Sequence, residues 1–392
     1  MFPRSLMLAA AMMPVLACQS APSFGQMFAE PLPPEEIPSS VKLPEVYPPS
    51  FVFVNDLIAI SMVTGRVAIV DVARDEAAFK AQVQVGYWGQ LLSSSTRPEL
   101  YAASTYYSRV TRGERTDVIT VYDKASIKPI DEIILPGAKR GLLVAHKDNF
   151  QFTNDQKWAL VFNFTPASSI TIVDLIARRV LNEVDVPGCT FAYPLGKRGF
   201  MSLCADGTML SVSLDENGKV LDSVSSAGFN DIDKDPMNMI PARHGGKAWF
   251  ATFDGNIRSI DLTGSVARDL GAFALPHENT TAGEWLPSGW QVITADPKGL
   301  LYVLMNPAGG EGTQKQGGTE VWVIDPVSKE RIKRFPLANV GVSIEVTHED
   351  SPSLVVAQGN GSLDVYDSTT GSLRRSIKDV VIDATTITSA QQ

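Results

Sequence analysis

Residues able to do chemistry are few and scattered in this sequence. The four histidines, His146, His244, His277 and His348, form no HExxH or HxH pattern, the spacings that bring two imidazoles to one metal. No metal site is expected. There is no GxSxG, no P-loop and no GxGxxG opening a helix. Gly309-Gly310-Glu311-Gly312 reads as a glycine-rich turn rather than a phosphate cradle. Carboxylates are frequent, but those that recur have a structural account as turn residues. No catalytic residue is assigned to this chain.

One segment concentrates recognition chemistry. Residues 104–117 (STYYSRVTRGERTD) place Tyr106, Tyr107, Arg109, Arg112 and Arg115 between two strand-like runs. A guanidinium offers a planar fork of donors that matches a carboxylate, so Arg109, Arg112 and Arg115 are candidates for docking a partner. A solvated hairpin is the plainer alternative. Cysteine is the other reactive type. Cys18 lies in an amino-terminal leader, which leaves Cys189 and Cys204. In an exported protein two such residues invite a disulfide, with two buried thiols as the alternative. They are a poor zinc site, since neither has His or further Cys beside it.

The leader itself is a secretory pattern. Met1 to Arg4 forms a short positive start, and residues 5–17 (SLMLAAAMMPVLA) are apolar but too short to span a bilayer. A signal peptide over residues 1–20 and a periplasmic destination are expected. Val15-Leu16-Ala17-Cys18 has the form of a bacterial lipobox, with Cys18 as the lipidated residue; an ordinary cleavage site is the alternative. Residues 21–50 are proline-rich (PLPPEEIPSS, LPEVYPPS) and read as an extended arm, because proline lacks a donor and favours polyproline geometry. The whole chain has 392 residues, 44% hydrophobic and 20% charged, with net charge −9 and no basic patch. Nucleic acid is therefore an unsuitable partner.

Residues 51–392 repeat one unit, an alternating strand that ends in Asp and enters a turn. The copies are RVAIVD, VITVYD, SITIVD, MLSVSLD, NIRSID, EVWVID and SLDVYD, ending at Asp71, Asp123, Asp174, Asp215, Asp261, Asp325 and Asp367. Alternation at period two marks a half-buried strand, and a short carboxylate accepts bonds from the turn that follows. Further strands flank most copies, giving about four per repeat, the signature of propeller blades. The fold class is all-β, and seven copies predict a seven-bladed β-propeller of four-stranded blades. The short strand FVFV at residues 51–54 is expected to complete the last blade and so remove a free edge.

The segment at residues 107–117 also resembles a loop in the heavy subunits of methylamine and aralkylamine dehydrogenases. Further similarity lies at residues 168–174 (SSITIVD), in the Cys189/Cys204 pair with Asp206-Gly207, at residues 285–290 (WLPSGW), at 311–315 (EGTQK) and at 321–325 (VWVID). The resemblance covers about residues 51–376. It implies a seven-bladed heavy subunit paired with a small, disulfide-rich light subunit, two of each per assembly. The light subunit would carry tryptophan tryptophylquinone and the catalytic base, so this chain would hold no cofactor. Primary amines would be oxidised to aldehyde and ammonia, with electrons passing to a blue-copper protein such as amicyanin or azurin. The resemblance also places Tyr87, in residues 85–90 (VGYWGQ), where the family has an aromatic side chain, usually Phe, lining the substrate channel. Tyr is a departure that adds a polar tip to an apolar gate, and a buried blade residue is the alternative. The stretch at residues 312–315 and Cys189 is closer to the aromatic-amine type. A stand-alone exported propeller or lipoprotein that binds a ligand without catalysis is the rival reading.

Overall fold

The computed structural model describes residues 42–142 and 146–391. The signal peptide, Cys18 and the first part of the proline-rich arm lie outside the described residues. The unit from Lys42 onward is an all-β propeller arrangement built from antiparallel sheets. Its strands are the alternating runs of the repeat, bounded by turns in which all seven recurring aspartates act. The Asp215 carboxylate accepts from the Asn217 and Lys219 amides at 2.8 and 2.9 Å. The Asp367 carboxylate does the same for Thr369 and Thr370. Asp71, Asp123, Asp174, Asp261 and Asp325 follow suit. At Asp261 the Thr263 hydroxyl and amide, helped by Arg268, hold the carboxyl down to about 2.

Among the described residues there are five separate four-stranded sheets and one of eight strands. This corrects the expected seven separate blades to five. The reason is one long strand, Glu330–Val346, which runs on from one repeat into the next. Its first part pairs with Gly318–Asp325 and its last part with Ser353–Gln358, so their sheets join.

The ends of the chain meet in one sheet, but not in the expected sense. The last strand, Ala384–Ser389, joins the first sheet beside Phe51–Asp56, with Val52 opposite Ser389 and Val54 opposite Ile387. Phe51–Asp56 is buried along its whole length and has a partner on each side. The C-terminal strand thus removes the edge that Phe51–Asp56 would otherwise present.

Between sheets the buried residues form clusters that span neighbouring sheets. Leu160 and Ile172 of one sheet pack with Phe200 and Val212 of the next and with Phe250 and Ile260 of a third. Alternate residues of each strand feed these face-to-face contacts, as the period-two pattern requires.

Where the arm enters the fold, Tyr47 is its anchor. Its ring lies against Phe51 and Phe53, and its hydroxyl donates to the Lys124 carbonyl at 2.8 Å. The Lys124 ammonium sits 5.4 Å from the Tyr47 ring centre and donates to the Ser94 carbonyl. Burial, with repulsion from Arg97, pushes Lys124 down to about 8 from its usual 10.5. Between these values the unfolded chain keeps a proton that the folded chain has lost. Stability therefore rises with pH across this window and falls again as pH returns through about 8. Burial raises Tyr47 above its usual 10.0, so this gain reverses beyond about pH 10. The denaturation midpoint is expected to climb from about pH 8 to pH 9.5, and Lys124→Met to flatten that climb. An equal climb in the variant would remove Lys124 as its cause.

Candidate functional site

The hairpin of Glu99–Arg109 and Arg112–Asp123 is longer than its neighbours. The inner strand Gln90–Ser93 pairs only with residues 100–103, and the outer strand Pro129–Leu135 only with residues 117–122. Residues 106–116 therefore project past the sheet. Val110 and Gly113 adopt positive φ (65° and 100°) to turn the tip. Arg109 and Arg112 lie opposite each other there and are exposed. Tyr106 is exposed and Tyr107 half-buried.

Arg115 points elsewhere. Its guanidinium donates to both oxygens of buried Asp117, at 3.0 and 2.9 Å, and to the Arg140 carbonyl at 2.6 Å. Asp117 also accepts from the Thr105 hydroxyl at 2.5 Å and the Arg140 amide at 2.9 Å. Arg140, 2% exposed, donates to the Thr105 hydroxyl at 3.0 Å. Its two terminal nitrogens donate to the carbonyls of Trp88, at 3.0 Å, and of Tyr87. Burial lowers the Arg140 guanidinium to about 10, with Asp117 raising it and Arg115 lowering it. Two arginines and one aspartate thus form a desolvated cluster beneath the turn that carries Tyr87.

That turn, residues 85–89, joins the outer strand Phe79–Gln84 to the inner strand Gln90–Ser93. The Tyr87 amide donates to Thr105 at 3.2 Å, and the Tyr87 ring meets Tyr107 edge-on at 6.2 Å. Tyr87 is half-buried, so it stands beside the projecting hairpin rather than within a sheet core. Glycines permit the tight path. A Cβ on Gly89 would lie 1.9 Å from the Val85 carbonyl oxygen. Gly89→Ala is expected to cost about 1–3 kcal/mol by forcing backbone movement. A thermal melt superimposable on that of the parent would overturn that reading.

The sequence reading grouped Arg109, Arg112 and Arg115 as docking candidates. The fold places the first two at the exposed tip and commits the third to Asp117. Tyr87 comes to the base of the same hairpin. Arg140 was missed, because a single Arg after a strand carries no signal of burial. Asp117 lay inside the chosen segment, but its partner Arg140 comes from beyond the next strand.

A second polar cluster lines a cavity of about 290 Å³ between several sheets. Arg243 pairs there with Asp148 and donates to Gln151 at 3.1 Å. Glu345 accepts from Gln291 at 2.6 Å and faces Lys147 at 3.9 Å. Burial raises Asp148 and Glu345 and pushes His146 well below its usual value. Charges are matched within this cluster, which gives it no evident reactive group. Cys189 and Cys204 lie opposite each other on neighbouring strands and form a disulfide. Among the described residues no three His, Cys, Asp or Glu side chains gather as metal ligands.

Comparison with known proteins agrees along nearly all of this fold. The family model for the methylamine dehydrogenase heavy chain matches residues 50–391. The methylamine dehydrogenase heavy chain of Paracoccus versutus is 30% identical over 279 residues, 70% of this chain and 65% of that protein. The heavy chain from Methylorubrum extorquens is 26% identical, over 69% of this chain and 66% of that protein. The match thus spans just under two thirds of these relatives' length. A solved protein from Lactobacillus plantarum shares the fold alone, with TM-score 0.54 and 13% identity over 86% of this chain and 98% of that one. The elongated hairpin, the cross-strand disulfide and the sheets that carry them all lie within the matched span, and this chain belongs to the methylamine dehydrogenase heavy chain family.

Proposed function

We propose that this chain is the large subunit of a periplasmic amine dehydrogenase whose tryptophan tryptophylquinone resides on a small, disulfide-rich light subunit, two of each per assembly. The family match over residues 50–391 carries this reading. In the proposed reaction a primary amine and water give aldehyde, ammonia, two protons and two electrons, and two blue-copper protein molecules take one electron each. The quinone is proposed to be built from tryptophans of the light subunit, and those of this chain are read as structural. Trp285 and Trp322 lie 5.9 Å apart, but Trp322 is fully buried, with Arg331 and Arg334 over its ring. Both pack in or against one core cluster, in keeping with a structural role.

This chain's part is to scaffold the light subunit and line the approach to it. Tyr87 is proposed to face the entering amine, and Arg109 and Arg112 to meet carboxylates of the partner. Arg115 supports that surface from within through Asp117. The leader at residues 1–20 directs export, with Cys18 as the site of any lipid anchor. The relatives named above are methylamine dehydrogenase chains; Tyr87, with its polar tip, leaves the choice between methylamine and arylalkylamines to substrate screening.

The test is recovery of the tagged, exported chain from its native host, with quinone staining of co-purifying proteins and an amine-dependent dye assay. A small quinone-positive partner and dye reduction are expected. Recovery of the chain alone, with neither signal, would refute the proposal and leave a binding propeller.

A further inference from the structure

We infer that Arg140 is a positioning residue that sets amine selectivity by holding the Tyr87–Trp88 turn in place. This inference rests on the proposed role of Tyr87 at the substrate approach.

The geometry is specific to a guanidinium. Three of its nitrogens are used at once: Nε on the Thr105 hydroxyl, one terminal nitrogen on the Trp88 carbonyl and the other on the Tyr87 carbonyl. Two consecutive carbonyls aimed at one donor group require an unusual backbone. Gly86 and Trp88 supply it with positive φ, 57° and 51°. Left-handed conformation at a tryptophan is unfavourable and persists only where its surroundings impose it. Two charge-assisted bonds from a buried cation are the evident constraint. Arg140 is in turn fixed through its backbone amide by Asp117, whose carboxylate Arg115 and Thr105 also grip and whose charge favours the guanidinium.

The arrangement runs from the hairpin interior to the Tyr87 ring. Thr105 contributes twice, receiving Arg140 on its hydroxyl and the Tyr87 amide on its carbonyl. The ring then rests edge-on against Tyr107 of the same strand. A loosened turn would let the Tyr87 ring swing away from Tyr107. That would change the width and polarity of whatever Tyr87 borders, without altering chemistry on another chain. The signature is therefore a change in KM and in relative kcat/KM among amines, with kcat at saturation preserved. Lysine cannot reach both carbonyls and Thr105 with one planar fork, so Arg140→Lys should rescue only in part.

The experiment compares Arg140→Met, Arg140→Lys and Tyr87→Ala. On the full heavy chain, amide exchange is followed across residues 85–89. On the complex with its light subunit, kcat and KM are measured for methylamine and for 2-phenylethylamine. Arg140→Met removes both charge-assisted bonds to the turn and is expected to speed exchange there by at least about tenfold, the effect of losing one such bond. It should shift the kcat/KM ratio of the two amines in the same direction as Tyr87→Ala, with Arg140→Lys between Met and parent. Unchanged exchange would overturn the inference, because the turn would not depend on Arg140. Faster exchange with an unchanged ratio, while Tyr87→Ala shifts it, would also overturn the inference but leave the role of Tyr87 standing. If Tyr87→Ala shifts no ratio either, the role of Tyr87 fails and the inference fails with it. Should the Met variant not fold, the Lys variant carries the same comparison at reduced amplitude.

Discussion

Asp117→Ala is expected to destabilise the protein by about 3–5 kcal/mol, the usual cost of stripping a buried cation of its counter-charge. Asp117 is 1% exposed and receives Arg115, the Arg140 amide and Thr105 together. Without it, Arg115 loses its ion-pair partner, the Arg140 amide loses its acceptor, and the two guanidinium charges are left uncompensated beside each other. Asp117→Asn keeps the shape but not the charge, and its effect should be intermediate. Denaturant midpoints at constant slope are the measurement. A loss under about 1 kcal/mol would mean that the two arginines tolerate each other without the carboxylate, and the cluster would lose its claim to order the hairpin.

The second large effect belongs to the disulfide. Cys189 and Cys204 are separated by 15 residues, and closing a loop of that size restricts the unfolded chain by about 3 kcal/mol in the chain-entropy model. The double variant Cys189→Ser with Cys204→Ser should lower the denaturation midpoint accordingly. The parent treated with a reductant should approach the same value. The bridge ties the first two strands of a single sheet, so its loss should leave the Tyr87 turn, in another sheet, undisturbed. An unchanged midpoint would mean that the unfolded chain gains no freedom when the bridge is removed. Equal effects on exchange at residues 85–89 would instead point to a global coupling between sheets.

These two predictions differ in how far the sequence alone reaches them. The disulfide was readable, since a chain expected to be exported, with two cysteines after the expected leader, has few other uses for them. So were the strands and their turns. Alternation at period two and an Asp at each strand end are local properties, and every one of those aspartates accepts the amides of its own turn. The resemblance in residues 107–117 pointed to the family before any coordinates.

The number of separate sheets was not local in this sense. Whether Glu330–Val346 breaks or runs on depends on which strands accept its two ends, and those partners lie on either side of it in the chain. Closure was equally undetermined, because nothing local in the first strand, Phe51–Asp56, or the last, Ala384–Ser389, names its partner. Only the register beside Phe51–Asp56 decided that the last strand joins the first sheet. The Arg140 cluster depends most on tertiary structure. Asp117, Thr105, Tyr87 and Arg140 come from different elements, and three of them read as ordinary strand or turn residues. Residue types and spacing along the chain determined the strands, the turn aspartates and the cysteine pair. The meeting of distant segments decided which charges are buried together, since desolvation depends on what surrounds a group in space and leaves no periodic trace in sequence.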